Sequence, residues 1–542
     1  MRYLMSLAIL FYVFLIQAVM LEIHPTEVLA EPLPLETYVG HPSRASLVDG
    51  RSLIDDTPIQ YDFEAEWAAY QNDASTERHF GRMVLELGVG IAGGTLWYWA
   101  NKEFNDGDWD LDASLDSLWR KIKGEAVRFD SNTFYVNTFN HPFTGAAYYT
   151  VGRANGFSAF ESFLVSLAAS TVWEYFAEYL ELVSINDQVF SPFGGAAVGE
   201  VFYQLGEFFS TSAPTPVNSA LKWVFGATQN IHRRLDGVSP RRARSIDRFG
   251  FRDDIWHRFD IRSGVGVAAQ RVVGNLELES QIIHLPGYGT QAGEVSSFLT
   301  RTMFTQLHFS SSFNAGGLQD LSVFINALLL GYYHQKLSRD ADGALRGTSF
   351  ILGPVLGYEL SGHDWRETGI DDRYAMVHIL GPRLDLAIWC QGTRLRLTLD
   401  ASGDFAAIHA FALDAFREVA TTEFAKAVLD ERGYYFALGF TTRMRVTFNT
   451  RAVEVGVGGR YSYYDSIEGV DRREEEITQD VDTTDEIASV RIWMTHNLFD
   501  GPMQFALSYE KLWRSGTASG GDHSVRESET ENRFLGSLRF LF

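Results

Sequence analysis

The carboxyl-terminal segment Glu531–Phe542 constrains this chain more than any other stretch. Phe534, Gly536, Leu538, Phe540 and Phe542 alternate with Arg533, Ser537, Arg539 and Leu541, so an extended strand here carries an apolar face backed by a mostly polar one. A soluble sheet that ends on such a strand leaves an unpaired edge. A strand that closes a ring against the first strand has no edge, and only helices and closed barrels satisfy every backbone polar group in lipid. The pattern predicts a transmembrane barrel; the alternative is the last strand of a soluble sandwich.

The same alternation recurs from Trp256 onward. Leu276, Leu278 and Ile282 oppose Glu277, Glu279 and Gln281, and Leu395, Leu397 and Leu399 oppose Arg394, Arg396 and Thr398. Phe436, Leu438, Phe440, Met444, Val446 and Phe448 alternate with Ala437, Gly439, Thr441, Arg443, Arg445 and Thr447. Met503, Phe505, Leu507 and Tyr509 oppose Gln504, Ala506, Ser508 and Glu510. Tyr434, Tyr461, Tyr463 and Trp513 gather near predicted strand ends, as interface girdles would. Counting back from Phe542, loops expected at 515–528, 466–486 and 402–432 alternate with turns at Asp500-Gly501-Pro502, Asn449-Thr450 and Gln391-Gly392. Further back the alternation weakens, since 284–295 is long for a turn and 272–275 short for a loop. We expect a barrel of about twelve strands over residues 256–542, within the range of bacterial barrels. A last strand ending in Phe after apolar residues at every second position resembles the closing strand of bacterial outer-membrane barrels. The resemblance implies that address.

The chain of 542 residues is too long for one ordinary domain, and its formal charge is −23. That balance excludes nucleic acid as a partner, which needs a basic footprint. Aromatic residues make up 14% and the mean hydropathy is −0.10. A bundle of membrane helices would be far more apolar, whereas lumen-facing residues dilute every strand of a membrane barrel. Arg2, the apolar run Leu4–Leu21 and Val28-Leu29-Ala30 predict an export signal over residues 1–30, with an uncleaved anchor as the alternative. Residues 31–60 read as a linker. The lone Cys390 excludes an internal disulfide and reads as a packed or lipid-facing thiol.

Residues 61–235 carry a helical signal. Met83–Ala100 is apolar, glycine-rich and long enough for a membrane span, but Glu86 favours a helix buried against others. Asp106, Asp108, Asp110 and Asp112 alternate without the glycine and distal glutamate of a calcium loop, so a solvated acidic turn is expected. On a helix from about Ser158 to Leu182, residues Ser158, Ser162, Ser166, Ser170, Glu174 and Glu178 recur every fourth position and form one polar row. Phe160, Phe163, Leu164, Leu167, Val172, Trp173 and Phe176 flank it. Two readings stay open. One is close helix packing with the glutamates at an exposed end. The other is a buried polar track with Glu174 and Glu178 paired to His141, Arg153 or Glu200, because isolated burial of a carboxylate is costly. Asn140-His141-Pro142, Gly145-Ala146-Ala147-Tyr148-Tyr149, Arg153, Trp173-Glu174-Tyr175, Glu178 and Ser191-Pro192-Phe193-Gly194-Gly195 are similar to a bacterial domain of unknown function, the 3943 family, over about residues 130–210. That resemblance implies a helical domain on the periplasmic side of an outer-membrane barrel, and it lends no activity. Residues 236–255 form a basic connector, where Arg241, Arg242 and Arg244, with the neighbouring Arg233 and Arg234, would face lipid phosphates or acids of the helical domain.

The expected fold is therefore α+β, a helical domain followed by an antiparallel membrane barrel. With Phe542 facing lipid, Arg394, Arg396, Arg443, Arg445, Arg460, Arg491 and Arg539 face the lumen, with Glu277, Glu279, Glu454 and Glu510. Three uses stay open: mutual pairing that fills a narrow barrel, selection of an anionic solute, or reception of the acidic helical domain, which is expected at the periplasmic mouth. The acidic stretch Asp471–Glu486 reads as a solvated external loop, with cation bridging to lipopolysaccharide as the alternative. His308 and Ser310 resemble the His-x-Ser pair of outer-membrane lipid hydrolases, although the asparagine that follows directly in one such family is absent and Asn314 is displaced. Parity turns both toward the lumen, away from lipid. No cofactor or metal is indicated; the expected partners are outer-membrane lipid and lipopolysaccharide, with partner proteins unidentified. Passage or binding of a solute or envelope component is the leading function, with a lipid hydrolase or a purely structural envelope protein as alternatives.

Overall fold

The computed structural model describes residues 77–542 apart from 102–108, 241–242, 244, 286, 290, 300–303, 366–368, 424 and 499–500. The export signal and the linker lie outside the described residues, as do Asp106, Asp108, Arg241, Arg242 and Arg244, whereas Asp110 pairs with Arg472 and Asp112 accepts from Ser114 at 2.6 Å.

Residues 256–542 fold into strands β1 (Trp256–Ala268), β2 (Arg271–Ile283), β3 (Gly293–Leu299), β4 (Phe304–Asn314), β5 (Gly317–Leu328), β6 (Gly331–Arg339) and β7 (Leu345–Trp365). β8 (Ile370–Cys390), β9 (Thr393–His409), β10 (Tyr434–Asn449), β11 (Val453–Ser466), β12 (Asp482–Asn497), β13 (Met503–Gly520) and β14 (His523–Leu541) complete the set. β14 pairs with β1, Phe540 opposite Ile261, and β7 pairs with both β5 and β8, so the ladder closes on itself. β3 and β6 pair with each other, and β6 takes the half of β7 that β5 leaves free, so they prolong β4 and β5 rather than add staves. The ring is a closed antiparallel barrel of 12 strands.

Pairing fixes which side chains share a face. One row runs Tyr358–Val377–Phe405–Leu438 on the outside, and the row beside it, Glu359–Met376–Ala406–Ala437, points into the lumen. Outward Leu399, Phe440, Met444, Phe505, Leu507 and Phe534 are exposed large apolar residues, as a lipid-facing wall requires. Cys390 is exposed on the same face. The turns at Gln391-Gly392, after Asn449 and before Met503 fall where the sequence put them.

Four connections differ. The 402–432 loop starts only at residue 410, because β9 runs on to His409. The 515–528 loop is instead strand, because β13 and β14 run on to a tight turn after Gly520. The 272–275 loop lies inside β2, the turn being at Ala269 and Gln270, both with positive φ. The acidic 466–486 loop shortens to residues 467–481 and is tied down: Asp471 accepts the Ala427 and Arg473 amides, and Lys426 Nζ donates to Asp480 at 2.7 Å.

The helices are α1 (Phe80–Asn101), α2 (Leu115–Lys123), α3 (His141–Ala154), α4 (Ala159–Val172), α5 (Gly195–Thr211) and α6 (Pro216–Leu235). Ser158 opens α4 through a reciprocal capping box with Glu161. α3 meets the turn before α5 so closely that a Cβ on Gly145 would lie 1.8 Å from the Ser191 carbonyl oxygen, so glycine is required there. α1 is not the buried helix expected: Val84, Leu85, Val89 and Leu96 are exposed, while Glu86 accepts from Asn155 Nδ2 at 2.8 Å.

Residues 202–255 form a separate compact unit. Within it α6 crosses the end of α5 at Gly206 and Gly226, Gln229 Nε2 donates to the Tyr203 carbonyl at 3.0 Å, and Arg233 pairs with Glu207.

Candidate functional site

The lumen is filled in three layers. At the rim of the long connections, the 410–433 segment turns inward and buries Leu413, Phe416 and Leu429 against lumen-facing Met376, Ile408, Tyr435 and Ile487. At the opposite rim, Leu285 and Tyr288 pack with Trp256, Phe304, Tyr333 and Ile351. Between these apolar ends lie the charges that parity predicted, and they pair with one another. Arg539 Nη2 meets Asp260 at 2.5 Å and its Nη1 meets Glu454 at 3.4 Å. Arg491 meets Glu277 at 2.7 Å, Arg445 meets Glu279 at 3.1 Å and Arg396 meets Asp385 at 2.5 Å. Glu359 receives Arg460 at 2.5 Å and Arg443 as well, with His378 at 3.6 Å. Glu510 stands in the ladder between Arg491 and Arg533. Arg394 is the exception, its Nε buried with no hydrogen-bond partner. The arginines thus serve the lumen's own carboxylates, Asp260, Glu359 and Asp385 included, and not the helical domain as one reading had it. Those three carboxylates stand among alternating residues whose pattern matches any lumen-facing stave, so nothing in the sequence singled them out.

His308 and Ser310 both face the lumen, where strand pairing sets them opposite Glu279 and Glu277. Neither approaches the lipid-facing wall.

The helical domain makes contact with the barrel, but on its outer wall rather than in its mouth. Phe129 stacks on Phe436 at 4.7 Å and lies 6.2 Å from Phe405, and Phe190 meets Phe405 edge-on at 5.5 Å. Tyr358 donates its hydroxyl to the Thr138 carbonyl, and Tyr434 donates to the Asn132 carbonyl at 2.8 Å. The Phe129 amide donates to the Val470 carbonyl at 2.9 Å, so the contact reaches the rim of the long connections.

Behind that contact lies a buried polar cluster. Asp130 accepts from Asn137 at 2.5 Å and from Asn186 at 3.0 Å, and Asn186 also donates to Asp187 at 2.9 Å. His141 Nε2 is 3.2 Å from Asp187, and Ser191 Oγ is 3.5 Å from His141 Nδ1. Glu174 accepts the Ser184 amide at 2.9 Å, and Lys121 Nζ donates to the carbonyl oxygens of Glu174 and Glu178 at 2.8 and 2.9 Å. Burial holds the Asp130, Glu174 and Asp187 carboxyls above their ordinary range, each neighbouring carboxylate adding to it for the last two. Burial alone pushes His141 down to about 4. Arg153 stands apart, donating to Glu200 at 2.8 Å beside the Tyr149 hydroxyl, also on Glu200 at 2.7 Å. The five residues expected to form one polar cluster are therefore divided: Arg153 and Glu200 pair, His141 joins Asp187, and Glu174 and Glu178 gather on Lys121. Lys121, Asp130 and Asp187 were missed; the carboxyl and amide run Asn186-Asp187 beside the Ser191 motif was the available signal.

Residues 126–227 match the family model of a domain of unknown function, 3943. The chain is thus a helical part, most of it matched by this model, followed by a closed antiparallel β-barrel of 12 strands. None of the curated proteins matches it. Among solved structures it is similar to BamA from Haemophilus ducreyi lacking POTRA domains 1–3, with 7% identity, 54% of this chain and 71% of that one covered, and a TM-score of 0.21. It is also similar to the outer membrane channel DcaP of Acinetobacter baumannii, with 9% identity, 53% and 97% coverage and a TM-score of 0.18. Both likenesses cover about the barrel's share of the chain; its closure rests on the strand ladder.

Proposed function

We propose that the protein is a sealed outer-membrane scaffold that holds its helical domain against the outer wall of the barrel and binds an envelope component there. One observation carries this reading: the lumen is occupied from rim to rim, by buried ion pairs between two apolar layers. Breaking such a pair leaves an uncompensated buried charge, so the network resists opening. The two longest connections that hold no strand, 410–433 and 467–481, lie at the rim opposite Phe542, where the helices dock, although tight turns such as 269–270 and 521–522 lie on that side too. In bacterial barrels short turns face the periplasm. This polarity supports a helical domain beside the outer leaflet, in place of the periplasmic position that the family resemblance implied. Lipid and lipopolysaccharide remain the proposed partners.

A second reading, gated passage, draws on the 410–433 segment, a single connection that closes one mouth. Planar-bilayer recordings of the full chain separate the two. A scaffold gives no conductance above the empty bilayer; a stable, repeated step conductance overturns it in favour of passage. The same preparation should hydrolyse no lipid, since His308 and Ser310 point away from it.

A further inference from the structure

The row of serines noted in the sequence turns out to be the inner side of α4, and its apolar side is the outer one. Ser162, Ser166, Ser170 and Glu174 are exposed by 0, 0, 4 and 1%. Phe160, Leu164, Val172 and Phe176, also spaced by fours and eights, are exposed by 69, 45, 40 and 63%. Ser166 Oγ spends its proton on the Gly145 carbonyl at 3.0 Å, and Gln188 donates to Ser170 at 3.3 Å. α1 repeats the arrangement. Arg82 and Glu86 turn inward to Asn155, and Trp99 Nε1 donates to the Ala177 carbonyl at 2.9 Å. Outward stand Phe80, Val84, Leu85, Val89 and Leu96.

In water this distribution is upside down. Soluble helices bury their apolar stripe and show their polar one, and large contiguous apolar patches mark a further contact. In hydrocarbon the sense reverses, as it does on the barrel staves beside these helices, which carry Leu399, Phe440 and Met444 outward and their charges inward. The helical domain is seated on that same outer wall, through Phe405, Phe436 and Tyr358. Its apolar face therefore adjoins that wall at the rim of the long connections, next to outward Leu438, which is 59% exposed.

We propose that the outward faces of α1 and α4 contact the acyl chains of the bilayer, so that the domain is a lipid-immersed helical layer against the barrel. No described helix is long and apolar enough to cross a membrane, so the helices lie beside the barrel without spanning. The proposal does not depend on whether the lumen opens.

The test uses the full chain with Cys390→Ser, a single cysteine introduced by Phe160→Cys, Leu164→Cys or Phe176→Cys, and a nitroxide label. Each is reconstituted into phosphatidylcholine–phosphatidylglycerol vesicles, and collision with oxygen is compared with collision with a water-soluble nickel chelate. Leu507→Cys serves as the lipid-facing reference and Ser524→Cys, at the β13–β14 turn, as the aqueous one. The circular-dichroism strand signal confirms that each variant is folded. The expected result is an oxygen-to-nickel accessibility ratio at all three helical positions that matches Leu507 and lies well above Ser524. A ratio matching Ser524 overturns the proposal. Protection from both reagents overturns it too, because a protein would then cover the face.

Discussion

Two buried polar sets in this molecule solve the same problem in opposite ways. In the lumen, carboxylates are matched by guanidinium groups: Asp260 by Arg539, Glu277 by Arg491, Glu359 by Arg443 and Arg460. In the helical domain the buried Asp130, Glu174 and Asp187 stand with Lys121 and His141 among the described residues, and Lys121 gives its protons to backbone carbonyls. Fixed cations compensate the first set, whereas protons compensate the second. Guanidinium groups keep their charge at any working pH, so the arginine pairs of the lumen should respond to pH less than the helical domain does.

The largest effect expected is on the cation-compensated side. Arg396→Ala leaves the buried Asp385 without its ion-pair partner and should cost about 3–5 kcal/mol, read as a lower urea midpoint for the vesicle-inserted barrel. A loss near zero would mean that water reaches this layer and that the lumen is not sealed.

The second effect is a pH response of the helical domain. Carboxyls with raised pKa hold protons that the unfolded chain releases, so their contribution is complete below the ordinary aspartate value of 3.8 and is lost as pH rises through the raised values. His141 works in the other direction. Its contribution is present above its ordinary 6.5 and is lost as pH falls toward about 4. Where the two windows overlap, three carboxyls outnumber one histidine, so protease protection of residues 110–200 should be greatest at acid pH and fall as pH rises. Asp187→Asn should extend protection to higher pH, and an unchanged fall would show that this cluster is paired by cations after all. The smallest effect is at the surface, where Arg473→Ala breaks an exposed pair with Glu431 and should cost no more than about 1 kcal/mol.

How much of this was readable beforehand depends on where water lies. The period of two named both faces of β9–β14 wherever one face meets lipid, so Arg443 and Arg539 were turned inward correctly. It failed for residues 515–528 because the outward positions there, Ser515, Thr517, Ser524 and Arg526, are polar. That part of the wall rises above the apolar band, and a strand polar on both faces looks like a loop. The plug was hidden for another reason: Leu413, Phe416 and Leu429 sit on helices of 5 and 6 residues, too short to show a period. The serine row of α4 was legible as a row, but a row alone does not say which side is wet. The links from Lys121 to Glu174 and from Asp130 to Asn186 join segments more than fifty residues apart, and single-sequence patterns carry no such information.

The seam where the ring shuts bears on biogenesis. The segment from Phe129 to Phe190 seats on β7, β9 and β10, whereas Ile261, Val265, Phe534, Leu538 and Phe540 stand exposed at the junction of the first and final strands. A nascent chain can thus lay its amino-terminal layer onto half-built staves while both free margins stay open to an insertion catalyst. The last zipper to close is then a place that the docked residues 126–190 do not obstruct.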